Sequence, residues 1–422
     1  QWLENNNNLD SPEKIDYLKK LFTQSRLALI YGSAGTGKTT MIQYISDFFH
    51  DRSKLYLANT HTAINNLRRR IKEIENSDFA TITAAKSKTT KLKKDLKEYE
   101  IVIIDECSTI SNADMAAILA KIQPQVLICV GDIYQIGSIR FGNWFLFAKK
   151  LFSNIIVELK ETYRTQDEKL KKLWGKVRML EEDMLDIMVK EKCSKRLESF
   201  DFKTTCENRI ILCLNYGGIY GINNVNRMLQ ENNKNPSHYF KGLIYKVGDP
   251  ILFNEVERFD ESLYNNLKGV ITDIQRQTDC ISFNIKVDKE ITPSNEDGKD
   301  CFKIIKNGEG WTEVQLSVFE HSGDEDDKPF NAVPFQVAYA ISIHKAQGLE
   351  YDNVAIIISD EIEEQITHNI FYTAITRAKK KLTIYWSPET EKKVLESLKV
   401  KDINRDYQLL NQNFKDIDNQ CK

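Results

Sequence analysis

Several features are missing from this 422-residue chain. Its eight cysteines (Cys107, Cys129, Cys193, Cys206, Cys213, Cys280, Cys301 and Cys421) include no C-x-x-C pair. Scattered thiols of this kind argue against a zinc site and suit a reduced, cytoplasmic compartment. There is no charged-then-apolar leader and no apolar run long enough to span a bilayer, so no membrane partner is expected. Charge of one sign is also lacking, since 59 basic residues face 61 acidic ones for a formal net charge of −2. No global basic field exists, and any site for a polyanion must come from local patches. No short-period repeat is visible. The chain opens on "QWLENNNNLD" rather than on Met, which suits a piece of a longer protein with a further domain or a protein partner on its N-terminal side.

What is present fits a soluble globular chain, with 41% apolar and 28% charged residues. The length exceeds one ordinary core and predicts two to four structural units. Near the start, "YGSAGTGKTT" has the pattern G-x-x-x-x-G-K-[ST]. Gly32, Gly35 and Gly37 allow a turn that exposes backbone N–H groups, Lys38 reaches the β- and γ-phosphates, and Thr39 holds Mg²⁺. Ser33, Ala34, Thr36 and Thr40 complete the candidate nucleotide-binding loop. The alternative is a glycine-rich turn without a nucleotide. Context favours the phosphate loop: "RLALIY" before it reads as a buried strand, and "TTMIQYISDFFH" after it has apolar residues at helical spacing.

The next elements alternate. "KLYLANT" reads as a strand ending at Thr60, "AINNLRRRIKEI" as a helix, and "YEIVIIDE" and "QVLICVGD" as buried strands ending on acids. Strands alternating with helices predict a parallel sheet with ligands at its carboxyl ends. Asp105 and Glu106 follow four apolar residues, which places a Mg²⁺-binding acid and a water-activating acid behind the loop. A helix is predicted around Leu170–Leu180, and a strand–loop–helix unit in "RIILCLNYGGIYGINNVNRML". From about Tyr245 short strand candidates ("KVGDPILFN", "LKGVITDI", "CISFNIKV", "WTEVQLSVF") predict a small all-β insertion, with the acidic "HSGDEDD" as a solvated loop. Alternation then resumes with "NVAIIIS" and "FYTAITRAK".

The stretches "GSAGTGKT", "IIDECS", "GDIYQIGS", "ETYRT", "AYAISIHKAQGLEY" and "FYTAITRAKKKL" occur in the order of the superfamily 1 helicase motifs. Over roughly residues 11 to 386 the chain resembles the 1B branch, the RecD/Dda-like DNA helicases with a UvrD-type C-terminal domain. The resemblance implies an α/β fold of two RecA-like P-loop domains with parallel sheets plus a small all-β SH3-like insertion. It implies residues 1–150 as the ATP-binding domain, 151–244 and 333–400 as the two parts of the second RecA-like domain, 245–332 as the insertion, and 401–422 as a polar tail. ATP lies between the RecA-like domains in that family, and single-stranded nucleic acid, here taken as DNA, runs across their top. In that frame Lys38 and Thr39 bind phosphate and Mg²⁺, Asp105 holds Mg²⁺ and Glu106 is the general base. Gln135 resembles the γ-phosphate sensor, and Tyr163 the aromatic that stacks on adenine. Arg164 and Arg377 resemble the arginines that clamp the γ-phosphate. Gly348 and Glu350 lie in a stretch that touches both ATP and nucleic acid. Thr60, His61, Thr83, Ser342 and His344 fall at strand-contacting positions.

Beside that frame, Phe141 and Trp144 in "RFGNWF" are candidates for base stacking, with two core aromatics as the alternative. The adenine-reading glutamine of the family has no match near Lys14, which loosens the expected preference for ATP. The family's "QLP" becomes Gln135-Ile136-Gly137. The expected function is a motor ATPase stepping 5′→3′ along single-stranded DNA; the compact β-rich segment argues against the 3′→5′ branch. The rival is a nucleotide-gated binding switch within a defence or repair complex. Between Ser87 and Tyr99 the family's β-hairpin pin is replaced by the lysine-rich "KSKTTKLKKDLKEY". Leu92 and Leu96 at helical spacing predict a basic amphipathic helix there, and poor duplex unwinding by the isolated chain.

Overall fold

The computed structural model describes residues 25–71, 76–87, 92–138, 142–152, 155–202, 209–254, 262–291, 301–320, 332–360, 366–399, 404, 407 and 408. The expectations for Lys14, Phe141, Cys206, Cys421, the acidic 321–327 stretch and most of the 401–422 tail lie outside these residues. The chain divides into two compact units. One comprises Gln1–Glu191, Ile366–Lys380 and Lys393–Lys422, and the other Lys192–Gln365 and Lys381–Lys392.

In the first unit, β1 (Leu27–Gly32), β2 (Lys54–Ala58), β3 (Ser77–Thr81), β4 (Ile101–Ile104), β5 (Val126–Gly131) and β6 (Ile156–Leu159) form one sheet in the order β3-β2-β4-β5-β1-β6. All its strand pairs are parallel. Both faces are covered, which is why the strands read as unbroken apolar runs. Alternate residues feed opposite cores. Ala28, Ile30, Tyr56, Ile101, Ile103, Ile128 and Val130 join one, and Leu29, Tyr31, Leu55, Leu57, Val102, Ile104 and Cys129 the other. Helices α1 (Lys38–Phe48) and α2 (His61–Arg70) pack Met41, Ile42, Ile45, Ile64 and Leu67 into the first core. Helices α4 (Asn112–Leu119) and α5 (Trp144–Leu151) pack Met115, Ile118, Phe145 and Ala148 into the second. Short α3 (Ile82–Lys86) follows β3, and α6 (Glu168–Met179) and α7 (Met184–Lys190) follow β6. Thr60 caps α2 through the Ala63 amide at 3.2 Å, and Asp167 caps α6 through the Lys169 amide at 2.8 Å.

The second unit holds β7 (Ser194–Arg196), β8 (Arg209–Cys213), helix α8 (Ile222–Glu231) and the hairpin of β9 (His238–Phe240) and β10 (Leu243–Tyr245). Next come β11 (Pro250–Phe253), β12 (Lys268–Arg276), β13 (Cys280–Val287), β14 (Phe302–Gly308), β15 (Trp311–Phe319) and β16 (Phe335–Val337). These six make an antiparallel sheet in the order β14-β15-β13-β12-β11-β16. Finally β17 (Ala340–Ser342), β18 (Tyr351–Ile357) and β19 (Ala378–Trp386) join β7 and β8 in a five-stranded sheet, order β17-β8-β18-β19-β7. In that sheet β17 and β18 run parallel to β8, and β19 parallel to β7. The architecture is therefore α/β with two parallel-strand sheets and an all-β insertion.

The insertion owes its shape to period-2 alternation. On β15, Thr312, Val314, Leu316 and Val318 point inward to Ile281, Phe283, Ile285 and Val287 of β13. Its root is tied by one fully buried carboxylate. Asp249 accepts hydrogen bonds from Gln230 Nε2 (2.5 Å), Asn233 Nδ2 (2.9 Å), Tyr339 OH (2.9 Å) and the Lys246 amide (2.8 Å).

Two local expectations change. Strands such as β3, β6, β14 and β16 are additional to those read from the sequence, because short or exposed strands carry little periodicity. The helix expected around Leu92 and Leu96 is absent over residues 92–99, which form turns. Leu92 and Leu96 still pack against the core, but competing acceptors take the backbone: Asp78 Oδ2 accepts from the Lys93 amide at 3.1 Å and Asp95 Oδ1 from the Lys97 amide at 3.1 Å.

Replacing Asp249 with alanine removes the shared acceptor of four donors at the root of the insertion at once. We expect Asp249→Ala to lose about 3–5 kcal/mol of stability. Urea denaturation checks it; a loss under about 1 kcal/mol, the scale of one net hydrogen bond, would mean the network is replaceable.

Candidate nucleotide site

The site grows from sheet order. Strands β4, β5 and β1 are neighbours, with Ile104 level with Cys129 and Tyr31 level with Gly131. Their carboxyl ends therefore open on one side of the sheet, where parallel sheets gather ligands. After β1 comes the loop Gly32–Thr40, after β4 the pair Asp105–Glu106, and after β5 Asp132 and Gln135.

Gly35 and Gly37 have φ of 74° and 80°, a region that favours glycine. A Cβ on Gly35 would stand 2.2 Å from the Arg164 Cβ, so the strand-to-helix loop and the Tyr163–Arg164 segment are in close contact. The Tyr163 amide donates to Gly35 O at 2.7 Å. The Lys38 ammonium donates to Gly32 O and Ser33 O, both at 2.8 Å. Thr36 Oγ1 donates to Ser33 O at 3.0 Å. Thr39 and Thr40 stand in the first turn of α1.

Burial pushes the Lys38 ammonium below its usual pKa; Asp132 and Asp105 oppose that shift, and Arg164 and Arg377 add to it. Burial raises the Asp105 carboxyl, and its Oδ1 accepts from the Glu106 amide at 2.8 Å. Glu106 adopts the left-handed region, φ 51°, where a non-glycine residue is uncommon and strained. This turn directs its carboxyl into the cluster. Burial and then the Asp105 charge push Glu106 up to about 7, against the pull of Arg377, Lys38 and a hydrogen bond from the Thr60 hydroxyl.

Gln135 Nε2 donates to Asp132 Oδ2 at 3.0 Å. Tyr163 is 46% exposed and its OH donates to Glu161 Oε2 at 2.6 Å. Arg164 Nη1 donates to Thr376 O at 2.9 Å. Arg377 is buried; its Nε donates to Thr373 O at 2.9 Å and its Nη2 to Thr376 Oγ1 at 3.3 Å. Both arginines thus rest on one turn at the end of α9 (His368–Ile375).

Helix α9 supplies groups that motif reading missed. Tyr372 OH accepts from the Ala34 amide of the phosphate loop at 3.4 Å. Thr373 Oγ1 accepts from the Ile136 amide at 2.9 Å, and Asn369 Nδ2 donates to Gln135 O at 2.7 Å. Asn369, Tyr372, Thr373 and Thr376 fall on one helical face, and the last three lie within the quoted "FYTAITRAK". His368 Nε2 lies 2.7 Å from Val177 O and fixes α9 on α6.

The strand-contacting candidates are spread. Thr60 lies at the Glu106 carboxyl and His61 opens α2; Thr83 is exposed on α3. Trp144 packs edge-on against Phe145, centroids 5.3 Å apart, and its indole N–H donates to Ile110 O at 3.0 Å. That geometry is the core alternative for Trp144; Phe141 lies outside the described residues. In the second unit, Ser342, His344, Gly348 (φ 77°) and Glu350 share the turn between β17 and β18.

Residues present suit a Mg²⁺–nucleotide pair. Among the described residues no group of three or more His, Cys, Asp or Glu is placed to hold a metal alone. Mg²⁺ characteristically uses one or two protein oxygens together with substrate phosphates, which Thr39 and the buried Asp105 would provide.

Taken together, the loop, the strand-end acids and the paired arginines define a RecA-like P-loop nucleotide-binding core. Comparison with known proteins shows what this core is similar to. An AAA domain model matches residues 11–191, and a UvrD-like helicase C-terminal domain model matches residues 337–385. The RecBCD enzyme subunit RecD of Buchnera aphidicola is 24% identical over 278 residues, which is 65% of this chain and 39% of that protein. The ATP-dependent DNA helicase Pif1 of Campylobacter jejuni is 22% identical over 344 residues, 69% of this chain and 70% of that one. An uncharacterized protein of Methanocaldococcus jannaschii, MJ1519, is 25% identical over 472 residues, with 93% of this chain and 39% of that protein covered. The chain therefore spans about two fifths of the length of the RecD and MJ1519 relatives. Bacteroides Pif1 bound to ssDNA superposes with a TM-score of 0.58 at 15% identity, covering 96% of this chain and 97% of that one. Pif1 of Candida albicans does so at 0.55 and 18% identity, covering 95% and 99%. In its two domain-model matches and in these relatives the chain is similar to the superfamily 1B helicases, the RecD/Pif1-like branch with a UvrD-like C-terminal domain.

A carboxyl raised from 4.5 to about 7 keeps its proton in the folded state while the unfolded chain has lost it. Glu106 therefore withdraws stability as pH rises from about 4.5 through 7, and withdraws no more above that. Glu106→Gln should melt higher than the parent at pH 8 in metal-free buffer, with the gain fading toward pH 5. A gain independent of pH would show that ionisation is not its source.

Proposed function

We propose that the chain is an ATP-driven motor that steps 5′→3′ along single-stranded DNA. The observation that carries this reading is the cluster of Lys38, Asp105, Glu106, Arg164 and Arg377, in which both arginines bond Thr376 and the Lys38 and Glu106 groups feel the charges around them. In this reading Lys38 exchanges its two loop carbonyls for the β- and γ-phosphates. Glu106 takes a proton from the attacking water as the water oxygen bonds to the γ-phosphorus and the bond to the β–γ bridging oxygen breaks. Arg164 and Arg377 stabilise charge on the transferred phosphoryl group, a role worth about 10³–10⁵ in rate where an arginine is correctly placed. Mg²⁺, when bound, would neutralise charge on the β- and γ-oxygens. Gln135 orients through Asp132, and the turn carrying Ser342, His344, Gly348 and Glu350 answers to the strand.

The preference for DNA draws on the DNA helicase Pif1 among the relatives and on the Bacteroides Pif1 structure bound to ssDNA. The functional division into 1–150, 151–244 with 333–400, and 245–332 is kept as part of the proposal. It differs from the packing units, because 151–191 and 366–380 pack with the first unit.

Arg164→Ala and Arg377→Ala should each lower kcat by more than tenfold, with KM for ATP moving less, since both contacts strengthen in the transition state. Steady-state ATPase assays check this, and equal loss of thermal stability in both would point to structural ion pairing. Direction is tested by displacing streptavidin from biotinylated dT oligonucleotides. Displacement from the 3′ end alone, fuelled by ATP, is expected. Tight strand binding without displacement from either end would contradict the motor and favour the nucleotide-gated switch.

On duplex with a 5′ tail, the chain alone should unwind poorly, because the described part of the 87–99 interval is a short turn rather than a hairpin wedge. Processive unwinding in a strand-separation assay would refute this.

A further inference from the structure

The insertion touches the turn between β17 and β18 at two points, and both come from one level of its sheet. On β11, Leu252 is paired with Lys268 of β12 on one side and with Gln336 of β16 on the other. Lys268 and Gln336 therefore stand in a single row across three strands. Lys268 Nζ donates to Glu350 O at 3.0 Å and lies 3.7 Å from the centroid of the Tyr351 ring. Gln336 Oε1 accepts from Lys345 Nζ at 2.6 Å. The Lys345 amide in turn donates to Ser342 Oγ at 3.2 Å. The row thus grips both limbs of the turn that holds Ser342, His344, Gly348 and Glu350.

The turn between those grips is short and internally tied, through Ala346 N to Ser342 O at 3.1 Å and Leu349 N to Ala346 O at 3.0 Å. Such a turn moves as one piece. The root of the insertion is anchored by Asp249, just ahead of β11, which binds Gln230, Asn233 and Tyr339. The insertion is thereby a strut between two fixed points of the same unit. The 82-residue sequence separation of the Lys268–Glu350 contact makes it a tertiary device.

We propose that Lys268, with Gln336 beside it, is a positioning residue: it sets the pose of the Ser342–Tyr351 turn and so links the β insertion to strand engagement. The proposal rests on the motor reading above. In this proposal both side chains act through the turn.

The test uses the whole chain as Lys268→Met, Lys268→Arg, Tyr351→Leu and the Lys268→Met/Tyr351→Leu double variant. A fluorescent dT oligonucleotide measures strand affinity by anisotropy, and ATP turnover is followed with and without it. Lys268→Met should weaken oligonucleotide binding by about two- to fivefold, the size of an exposed cation–π contact. Strand-stimulated kcat should fall with it while KM for ATP stays put. Lys268→Arg, which also stacks on a ring and donates to a carbonyl, should restore both. The double variant should lose no more than the worse single one, since one contact is removed twice. Should Lys268→Met melt early, Tyr351→Leu carries the same comparison. Unchanged affinity and stimulation in Lys268→Met and Tyr351→Leu would overturn the proposal, as would an arginine variant as defective as methionine. A parent chain that does not bind the oligonucleotide would instead defeat the motor reading, and this inference with it.

Discussion

Lys38 is the pivot of this structure. Its ammonium is buried where an isolated charge would be strongly disfavoured, and it survives there because two loop carbonyls and the Asp132 and Asp105 carboxyls stand around it. Arg164 and Arg377 bring two more positive charges to the same place. Against these three cations stand Asp105, Glu106 and Asp132, and burial with the neighbouring Asp105 charge holds the Glu106 carboxyl above its usual range. The cluster is left with room for negative charge, which a polyphosphate supplies. The same balance explains why the parallel sheet puts β4, β5 and β1 side by side: that order brings the loop and both acidic strand ends together.

Helix α9 converts that charge balance into geometry. Its Tyr372, Thr373 and Asn369 hold the phosphate loop and the 133–136 segment, and Thr376 holds both arginines. A shift of α9 therefore moves loop, sensor and arginines together. Glu106, in a strained left-handed conformation, is the point in the cluster where backbone energy is stored. A raised carboxyl and a strained backbone are both costs to folding, and a functional site is where such costs are ordinarily kept.

The nucleotide side was legible in the sequence because its chemistry is local. A glycine-rich loop between strand and helix, and acids at a strand end, are short patterns with one physical purpose. The α/β character and the β insertion were legible through periodicity. The features that escaped have partners distant along the chain. For Trp144 the sequence left base stacking and core packing both open, and the bond from its indole N–H to Ile110 O is a contact no motif announces. Leu92 and Leu96 kept their helical spacing while Asp78 and Asp95 drew the backbone into turns. Asp249, Lys268 and Gln336 carry no motif; only the strand register shows what they hold.

The central claim is that the Lys38 cluster is a site for a nucleoside triphosphate. Isothermal titration of a non-hydrolysable ATP analogue with Mg²⁺, into the parent chain and into Lys38→Ala, tests it most directly. Saturable one-site binding to the parent is expected, with a loss of at least about tenfold in Lys38→Ala, because the ammonium that meets the phosphates is gone. Equal binding by the two proteins would contradict it.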